Sequence, residues 1–421
     1  MAGREVELRG WIYRTRSSNK YAFVVLRDSS DIIQTVVDAE KVPKEDFESA
    51  CKALIESSVV VKGTIVKEPR APTGYELHLS SFKVIHFADK FPITKDKSIE
   101  FLADNRHLWL RSRQMTAIMK IRSTVFGAID EYFRGENFFE YQSPILQAVQ
   151  CEGGSTLFAV PYFEQKGVFL SQTWQLYAEP AIFALEKIYT IAPAFRAEKS
   201  KTSRHLTELW MCEMEMAWAE FEDIQNHGEG LIKHIVKRVL ERNQPELKVL
   251  GRNTKTLEAT VAKPFPRMTY TDALKILKEQ DGVDVPWGKD LRTIEEDMLS
   301  KHYDTPIIVT EYPKAVKAFY MKEVPHNPDA VQGCDFIAPE GYGEIIGGSE
   351  REDKIEEIEK RLTEQGEKVE NYQFYLDTRR YGSVPHGGFG LGVERVVSWV
   401  CGLENIKDAI SFPRTMTRWT P

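Results

Sequence analysis

At 421 residues the chain is long enough for roughly three domains of about 150 residues, and it can bury a sizeable core without disulfides or metals. Hydrophobic residues at 42% and charged residues at 28% describe an ordinary globular protein, which excludes collagen-like, low-complexity and mainly disordered chains. A net charge of -7 argues against a generally basic nucleic-acid coat, yet residues 1–90 hold 14 Lys and Arg against 13 Asp and Glu, so the acidity lies in the remainder.

No run approaches about 18 uncharged apolar residues, so no membrane span is expected. Met1-Ala2-Gly3-Arg4-Glu5 runs straight into a strand pattern with no apolar signal core, which makes the cytoplasm the expected location. The five cysteines (Cys51, Cys151, Cys212, Cys334, Cys401) are far apart and odd in number, and the nine histidines include no H-E-x-x-H. Neither a disulfide framework nor a protein-bound zinc is expected from these spacings.

In chain order, Val6 to Ile12, Tyr21 to Leu26, Ile32 to Val37, Val59 to Val66 and Tyr75 to Phe87 are rich in β-branched and aromatic residues, with turn residues between them. Between the third and fourth runs, Phe47, Ala50, Cys51, Leu54 and Ile55 recur at helical spacing. Three strands, a helix and two strands is the order of a five-stranded Greek-key barrel, the OB-fold, predicted over residues 1–88. Arg9, Arg14, Arg16 and Lys20 cluster on its first hairpin, a pattern that also describes a solvated edge. Residues 89–110, charged and aperiodic with Pro92, read as a hinge, leaving 111–421 as a second domain.

In that domain Ile118, Ile121, Val125, Ile129 and Phe133 line one face of a long predicted helix, which leads into the extended segment Phe138 to Pro144. Tyr189 to Glu198 and Leu206 to Trp218 form a hairpin with a basic tip. Further strands are predicted at Ile307 to Val309, Phe319 to Met321, Asp335 to Ala338, Glu344 to Gly347 and Phe374 to Thr378. Hairpins with interspersed helices favour an α+β fold on an antiparallel sheet over a doubly wound one.

Three segments carry candidate chemistry. On the hairpin, strand alternation places Arg196 with Glu198 and Glu213 with Glu215 on common faces. Arg196 offers a permanently charged fork for phosphate or carboxylate, and Arg204 and His205 stand near the tip. An ion-pair ladder has the same appearance. Gly387-Gly388-Phe389-Gly390-Leu391-Gly392-Val393-Glu394-Arg395 runs into a helix, and its spacing is not the dinucleotide fingerprint. Its glycines instead allow close approach of a flat ligand. Around the turn Pro339-Glu340-Gly341-Tyr342-Gly343, Asp335 and Glu344 meet across two strands, a carboxylate pair suited to magnesium with a polyphosphate.

Taken together, these segments resemble the class II aminoacyl-tRNA synthetases. Phe195-Arg196-Ala197-Glu198 with Arg204-His205-Leu206 resembles their motif 2, and Gly390-Leu391-Gly392-Val393-Glu394-Arg395 their motif 3. The long helix and the strand ending at Pro144 look like motif 1, which in that family builds a homodimer interface. The barrel matches the anticodon-binding domain of the aspartyl, asparaginyl and lysyl subgroup, and the resemblance extends to Phe412-Pro413-Arg414.

Within the subgroup, Arg379 to Phe389 and Gly402 to Asp408 look asparaginyl. The aspartyl pattern Gln-Leu-Tyr-Lys is here Gln175-Leu176-Tyr177-Ala178, and Arg351 is followed by Glu352-Asp353 where that pattern has a histidine. Losing two cationic partners disfavours a buried substrate carboxylate. An amide needs a donor and an acceptor, for which Arg351 and Glu213 are the candidates.

The resemblance implies ATP, asparagine and tRNA(Asn) as substrates, with magnesium. Arg196 and Arg395 would be the catalytic residues. Arg196 would bridge the amino-acid carboxylate and the α-phosphate, Glu198 would meet the adenine amino group, and Arg204, His205 and Arg395 would hold the outer phosphates beside Leu206 and Gly392. Glu344 and Asp335 would organise magnesium, although Gly347 stands where the aspartyl pattern often has a serine. Glu152, Ser171, Gln172 and Gln175 would join Arg196, Glu213 and Arg351 around the amino acid. Phe23 and Gln34 would stack on and hydrogen-bond the central anticodon uracil, with Arg14, Arg16 and Lys20 in a nearby loop meeting phosphate. Competing readings are an aspartyl enzyme of relaxed tRNA choice, a synthetase-derived asparagine synthetase and a non-enzymatic RNA-binding relative. Ala178, the barrel, and the retention of Arg196 and Arg395 speak against them in turn.

Overall fold

The computed structural model describes residues 2–94, 97–151, 157–199 and 204–421. The chain divides into two units, Met1–Leu102 and Ala103–Pro421. Among the described residues no helix is long and apolar enough to cross a membrane.

In the first unit, β1 (Glu5–Ser17), β2 (Tyr21–Arg27), β3 (Ile32–Asp38), α1 (Lys44–Lys52), β4 (Ser58–Lys67) and β5 (Tyr75–His86) follow the predicted order. The strands close into a barrel, β1-β2-β3-β5-β4. Period-two alternation sends Ala22, Val24 and Leu26 inward with Val37, Val59, Val61, Leu77, Leu79 and Phe82, leaving Tyr21, Phe23 and Val25 on the outer face. Two local expectations need correction. A bulge between Ile12 and Arg14 re-registers β1, which then continues to Ser17. Arg14 and Arg16 are therefore strand residues, not loop residues. The helix stops at Lys52, with Ala53 already extended, so Leu54 and Ile55 lie beyond it and are exposed. The turn that follows brings Glu56 into a two-bond pair with Arg27, both bonds 2.8 Å long.

The second unit follows α2 (Ile99–Asp104) with α3 (Arg106–Trp109), α4 (Arg113–Gly135), β6 (Phe139–Glu140), β7 (Leu146–Gln147), β8 (Phe169–Leu170), α5 (Gln175–Leu185), β9 (Lys187–Phe195) and β10 (Glu208–Ala217). Next come α6 (Phe221–Arg242), α7 (Gln244–Leu250), α8 (Lys255–Ala262), β11 (Arg267–Thr269), α9 (Tyr270–Gln280), α10 (Thr293–Ser300) and β12 (Ile307–Pro313). The chain ends with β13 (Glu323–Val324), β14 (Asn327–Ala338), β15 (Gly343–Glu350), α11 (Ile355–Glu364), α12 (Gln373–Arg380), β16 (His386–Gly392) and α13 (Val393–Cys401).

Among the described residues the main sheet has nine strands in the order β11-β12-β14-β15-β16-β10-β9-β6, with β13 beside β14. It is antiparallel except at the outlying pairs β11–β12 and β6–β9. The predicted α4 stripe, Ile118, Ile121, Val125, Ile129 and Phe133, is fully buried against it, and Phe133 stacks on Tyr189 with ring centroids 4.8 Å apart. Helices α6 and α13 complete this core through Leu231, Ile235, Val396 and Trp399.

Two predicted strands are absent. Phe374 to Thr378 belongs to α12, where Tyr375, Leu376 and Arg379 are buried at helical spacing. Phe319 to Met321 makes only one bridge, Met321 to Arg351, because Phe319 turns its ring into the Tyr372–Tyr375 cluster. Part of the segment read as a hinge is helical, in α2 and α3. Arg106 there pairs with Asp408 at 2.9 Å and donates to the carbonyls of Lys407, Ile410 and Ser411.

Candidate active site

The sheet register builds the floor of the site. Residues opposite one another on paired strands share a face, and Glu213, Gly390, Gly347 and Asp335 form one row across β10, β16, β15 and β14. Glu215, Gly388, Ser349 and Gly333 form the next. In the first row the carboxylates of Glu213 and Asp335 flank two glycines, a strip without side chains onto which a flat ligand can settle. At Gly388 a Cβ would lie 2.1 Å from the Met214 carbonyl oxygen and 2.2 Å from Glu215 Oε2, so that position requires glycine. At Gly347 a Cβ would stand 3.1 Å from Glu344 Oε1 and 3.6 Å from Asp335 Oδ1, so the glycine keeps open the gap between those carboxylates.

One end of this floor is cationic. Arg196, Glu198, Arg204, His205, Leu206, Glu344, Gly392 and Arg395, the eight residues expected around ATP, line a single cavity. Strand β9 ends before Arg196, which extends the ladder by one bond from its N–H to the Thr207 carbonyl at 3.0 Å. Glu198 lies beyond the strand, so the predicted strand alternation does not place it. Arg196 Nε is shielded from solvent without a hydrogen-bond partner among the described residues. An orphaned guanidinium donor is costly unless a ligand satisfies it. Arg395 donates to the Glu344 carbonyl at 2.6 Å and approaches that carboxylate at 3.6 Å. Arg204 donates to the Gly341 carbonyl and lies 3.6 Å from Asp297. His205 stands 3.5 Å from Glu198, and burial pushes its imidazole below the ordinary value despite that carboxylate.

The adjoining cavity, of about 250 Å³, shares Arg196 and Glu344 and is lined also by Thr173, Gln175, Glu213, Glu215, Lys317, Tyr320, Asp335 and Arg351. Arg351 is buried and clamps Glu215 with bonds of 2.7 and 2.8 Å, while a third N–H donates to Ser349 Oγ at 2.6 Å. Two of the guanidinium's five donors remain for a ligand. Glu213 accepts from the Trp174 N–H at 3.0 Å and from the Thr173 hydroxyl. At the other end Lys317 Nζ is 2.7 Å from Asp335. Burial pushes the Asp335 carboxyl up to about 6 against the pull of Lys317, with Glu344 adding to the rise. Burial, then repulsion from Glu344, carries Glu296 up to about 7.

Of the residues expected around the amino acid, Gln175, Arg196, Glu213 and Arg351 come together here. Ser171 and Gln172 are buried in the segment leading to it, where Gln172 Oε1 accepts from the Cys151 N–H at 3.3 Å. Glu152 lies outside the described residues. Sequence reasoning missed Glu179, Asp290, Glu296, Lys317 and Tyr320, which reach the region from separate segments with no common spacing. For Glu179 there was a signal: it is the lone charge in the apolar helix α5.

The barrel offers a second surface. Register places Arg14, Val25, Gln34 and Glu76 in one row of its outer face and Arg16, Phe23, Val36 and His78 in the next. The Arg16 guanidinium lies 5.1 Å from the Phe23 ring centroid, and Gln34 Nε2 donates to Glu76 at 2.5 Å. Phe23 is no part of the core. Phe23 and Gln34, predicted on separate strands, and Arg14, expected in a loop, share one surface.

Comparison with known proteins agrees with both units. A family model described as tRNA synthetases class II (D, K and N) matches residues 98–416, and one for the OB-fold nucleic acid binding domain matches residues 6–85. An asparagine–tRNA ligase of Thermococcus gammatolerans is 48% identical over the whole chain and 97% of the relative's length. The crystal structure of asparaginyl-tRNA synthetase from Pyrococcus horikoshii, complexed with asparaginyl-adenylate, superposes with a TM-score of 0.96 at 46% identity, covering 100% of this chain and 97% of that one. An Entamoeba histolytica asparaginyl-tRNA synthetase, also with asparaginyl-adenylate, gives 0.90 at 31% identity, covering 100% of this chain and 97% of that one. The chain belongs to the class II tRNA synthetases of the D, K and N group.

Proposed function

We propose that the protein is an asparagine–tRNA ligase, which activates asparagine with ATP and transfers it to the 3′ end of tRNA(Asn). The observation that carries this reading is Arg196, whose unpartnered Nε sits where the cationic cavity meets the one lined by Glu213, Glu215 and Arg351. The asparagine α-carboxylate attacks the α-phosphorus of ATP, forming the mixed anhydride and expelling pyrophosphate. That carboxylate is ionised at neutral pH, so the step needs no general base. Arg196 steadies the carboxylate and the α-phosphate, while Arg204, His205 and Arg395 hold the departing phosphates. At the far end Arg351 donates to the side-chain amide oxygen and Glu213 accepts from its NH₂. The terminal ribose 3′-hydroxyl of tRNA then attacks the carbonyl and releases AMP. Pyrophosphate exchange measured with each standard amino acid tests the reading: exchange above background should require asparagine, and a different preferred amino acid refutes it.

The residues present fit magnesium. Asp335 and Glu344 flank the gap left by Gly347, and the repulsion of Glu344 adds to the rise that burial imposes on the Asp335 carboxyl. Among the described residues no three His, Cys, Asp or Glu side chains form a ready-made metal site, and magnesium characteristically uses one or two carboxylates plus substrate phosphates. Bound with ATP, it would neutralise phosphate charge. EDTA should abolish exchange and added magnesium restore it, whereas Glu344→Gln should raise the magnesium concentration for half-maximal rate about tenfold.

The same reading makes residues 1–88 the anticodon-binding domain, 89–110 the hinge and 111–421 the catalytic domain. It takes the working unit as a cytoplasmic homodimer built on α4 and the strand after it, and the exposed Phe139, Ile145 and Leu146 supply apolar surface for that contact. On the barrel, Phe23 stacks the central anticodon base and Gln34 reads its edge, with Arg14 nearby. A stacked aromatic contributes about 1–3 kcal/mol per base. Phe23→Ala should therefore weaken tRNA charging roughly ten- to a hundredfold while tRNA-independent exchange is unchanged. A joint fall in melting temperature and exchange would instead make Phe23 a packing residue.

A further inference from the structure

Behind the amino-acid cavity lies a buried ionic cluster centred on Glu179, which is completely inaccessible to solvent. Its Oε2 is 2.7 Å from Arg379 Nη2 and 3.1 Å from His386 Nε2. Its Oε1 accepts from the Tyr375 hydroxyl and from Gln175 Nε2, each at 3.0 Å, and lies 3.8 Å from Arg351 Nε. Gln175 is one helical turn earlier on α5, so the cluster reaches the cavity through Gln175 as well as through Arg351 and Glu215. Burial alone would raise the Glu179 carboxyl, but Arg379, then His386 and Arg351, hold it well below the usual carboxylate range.

His386 is held at both ring nitrogens. Its Nδ1 is 2.8 Å from the Val384 carbonyl oxygen and its Nε2 faces the ionised Glu179 carboxylate. At this end of the cavity Arg351 is paired with Glu215 and Arg379 with Glu179, while Lys317 is held by Asp335 at the other end, so none of these three cations is left without a carboxylate partner. An uncompensated charge entering such a site is strongly disfavoured, whereas a neutral amide is not.

We propose that Glu179 is a positioning residue for substrate selection: it holds Gln175 and Arg351 in place and, by cancelling Arg379 and bonding His386, keeps the charge of Arg379 from favouring a side-chain carboxylate. This rests on asparagine being the substrate, so the unaltered enzyme is assayed first, with asparagine and aspartate. Failure to prefer asparagine there refutes the proposed function and not the role of Glu179.

Given that preference, Glu179→Gln keeps the shape and removes the balancing charge. It should lower the asparagine-to-aspartate ratio of kcat/KM at least tenfold, partly through a gain with aspartate, with the KM for ATP changed less than twofold. Arg379→Met shifts the charge the other way and should lower aspartate exchange further while asparagine exchange persists. The combined Glu179→Gln/Arg379→Met variant, neutral again, should recover most of the lost ratio. A Glu179→Gln enzyme with an unchanged ratio, or one impaired equally with both amino acids, overturns the proposal. So does failure of all three variants to fold, which would make the cluster a scaffold only.

Discussion

Arg196→Ala is expected to lower asparagine-dependent pyrophosphate exchange by about 10²–10³ without a matching loss of thermal stability. The side chain lies at the seam between the two cavities, and its Nε has no partner among the described residues that the substitution would orphan. On the proposed function its interactions are made mainly with the reacting groups, where α-phosphate charge redistributes as pyrophosphate leaves. Removing one donor of this kind affects the rate far more than the fold. Near-normal exchange by a folded variant would contradict the assignment.

The second large effect is selection between two nearly isosteric substrates. Asparagine should exceed aspartate in kcat/KM for adenylate formation by about 10⁴, a factor within reach of a site built around specific hydrogen-bonding groups. Arg351 is already committed to Glu215 through two bonds, and Glu213 adds a second carboxylate to the cavity lining. On the proposed function an amide accepts from the remaining Arg351 donors through its oxygen and donates to Glu213 through its NH₂. A carboxylate meets Glu213 with like charge and finds the guanidinium half neutralised. Single-turnover adenylate formation with each amino acid measures the ratio, and comparable rates would show that Ala178 and Glu213 do not have the meaning given to them here.

Much of this was legible in the residues because strand alternation and helical spacing act locally. The barrel order, the α4 stripe and the hairpin carrying Arg196 follow from periods of two and 3.6. The eight residues of the cationic cavity came from two motifs and the Asp335–Glu344 turn, and the pairing of β9 with β10, β10 with β16 and β16 with β15 brings the segments that carry them together. What escaped were features decided by tertiary context. In α12 the alternation of Phe374 to Thr378 imitates a strand, but burial of Tyr375, Leu376 and Arg379 requires a helix. The extension of β1 depends on a bulge, which moves Arg14 and Arg16 from loop to strand. The pairing of Arg351 with Glu215, and of Glu179 with Arg379 and His386, joins residues 136 to 207 positions apart, with no local pattern to announce it.

The most direct test of the central claim is aminoacylation of unmodified tRNA transcripts bearing the asparagine and the aspartate anticodons, each offered asparagine and aspartate with ATP and magnesium. The account predicts that asparagine is esterified efficiently to the asparagine transcript, that aspartate is esterified to neither at a comparable rate, and that the product is stable only as long as its ester bond. Efficient transfer of aspartate to either transcript, or adenylate formation without any transfer to tRNA, would contradict it.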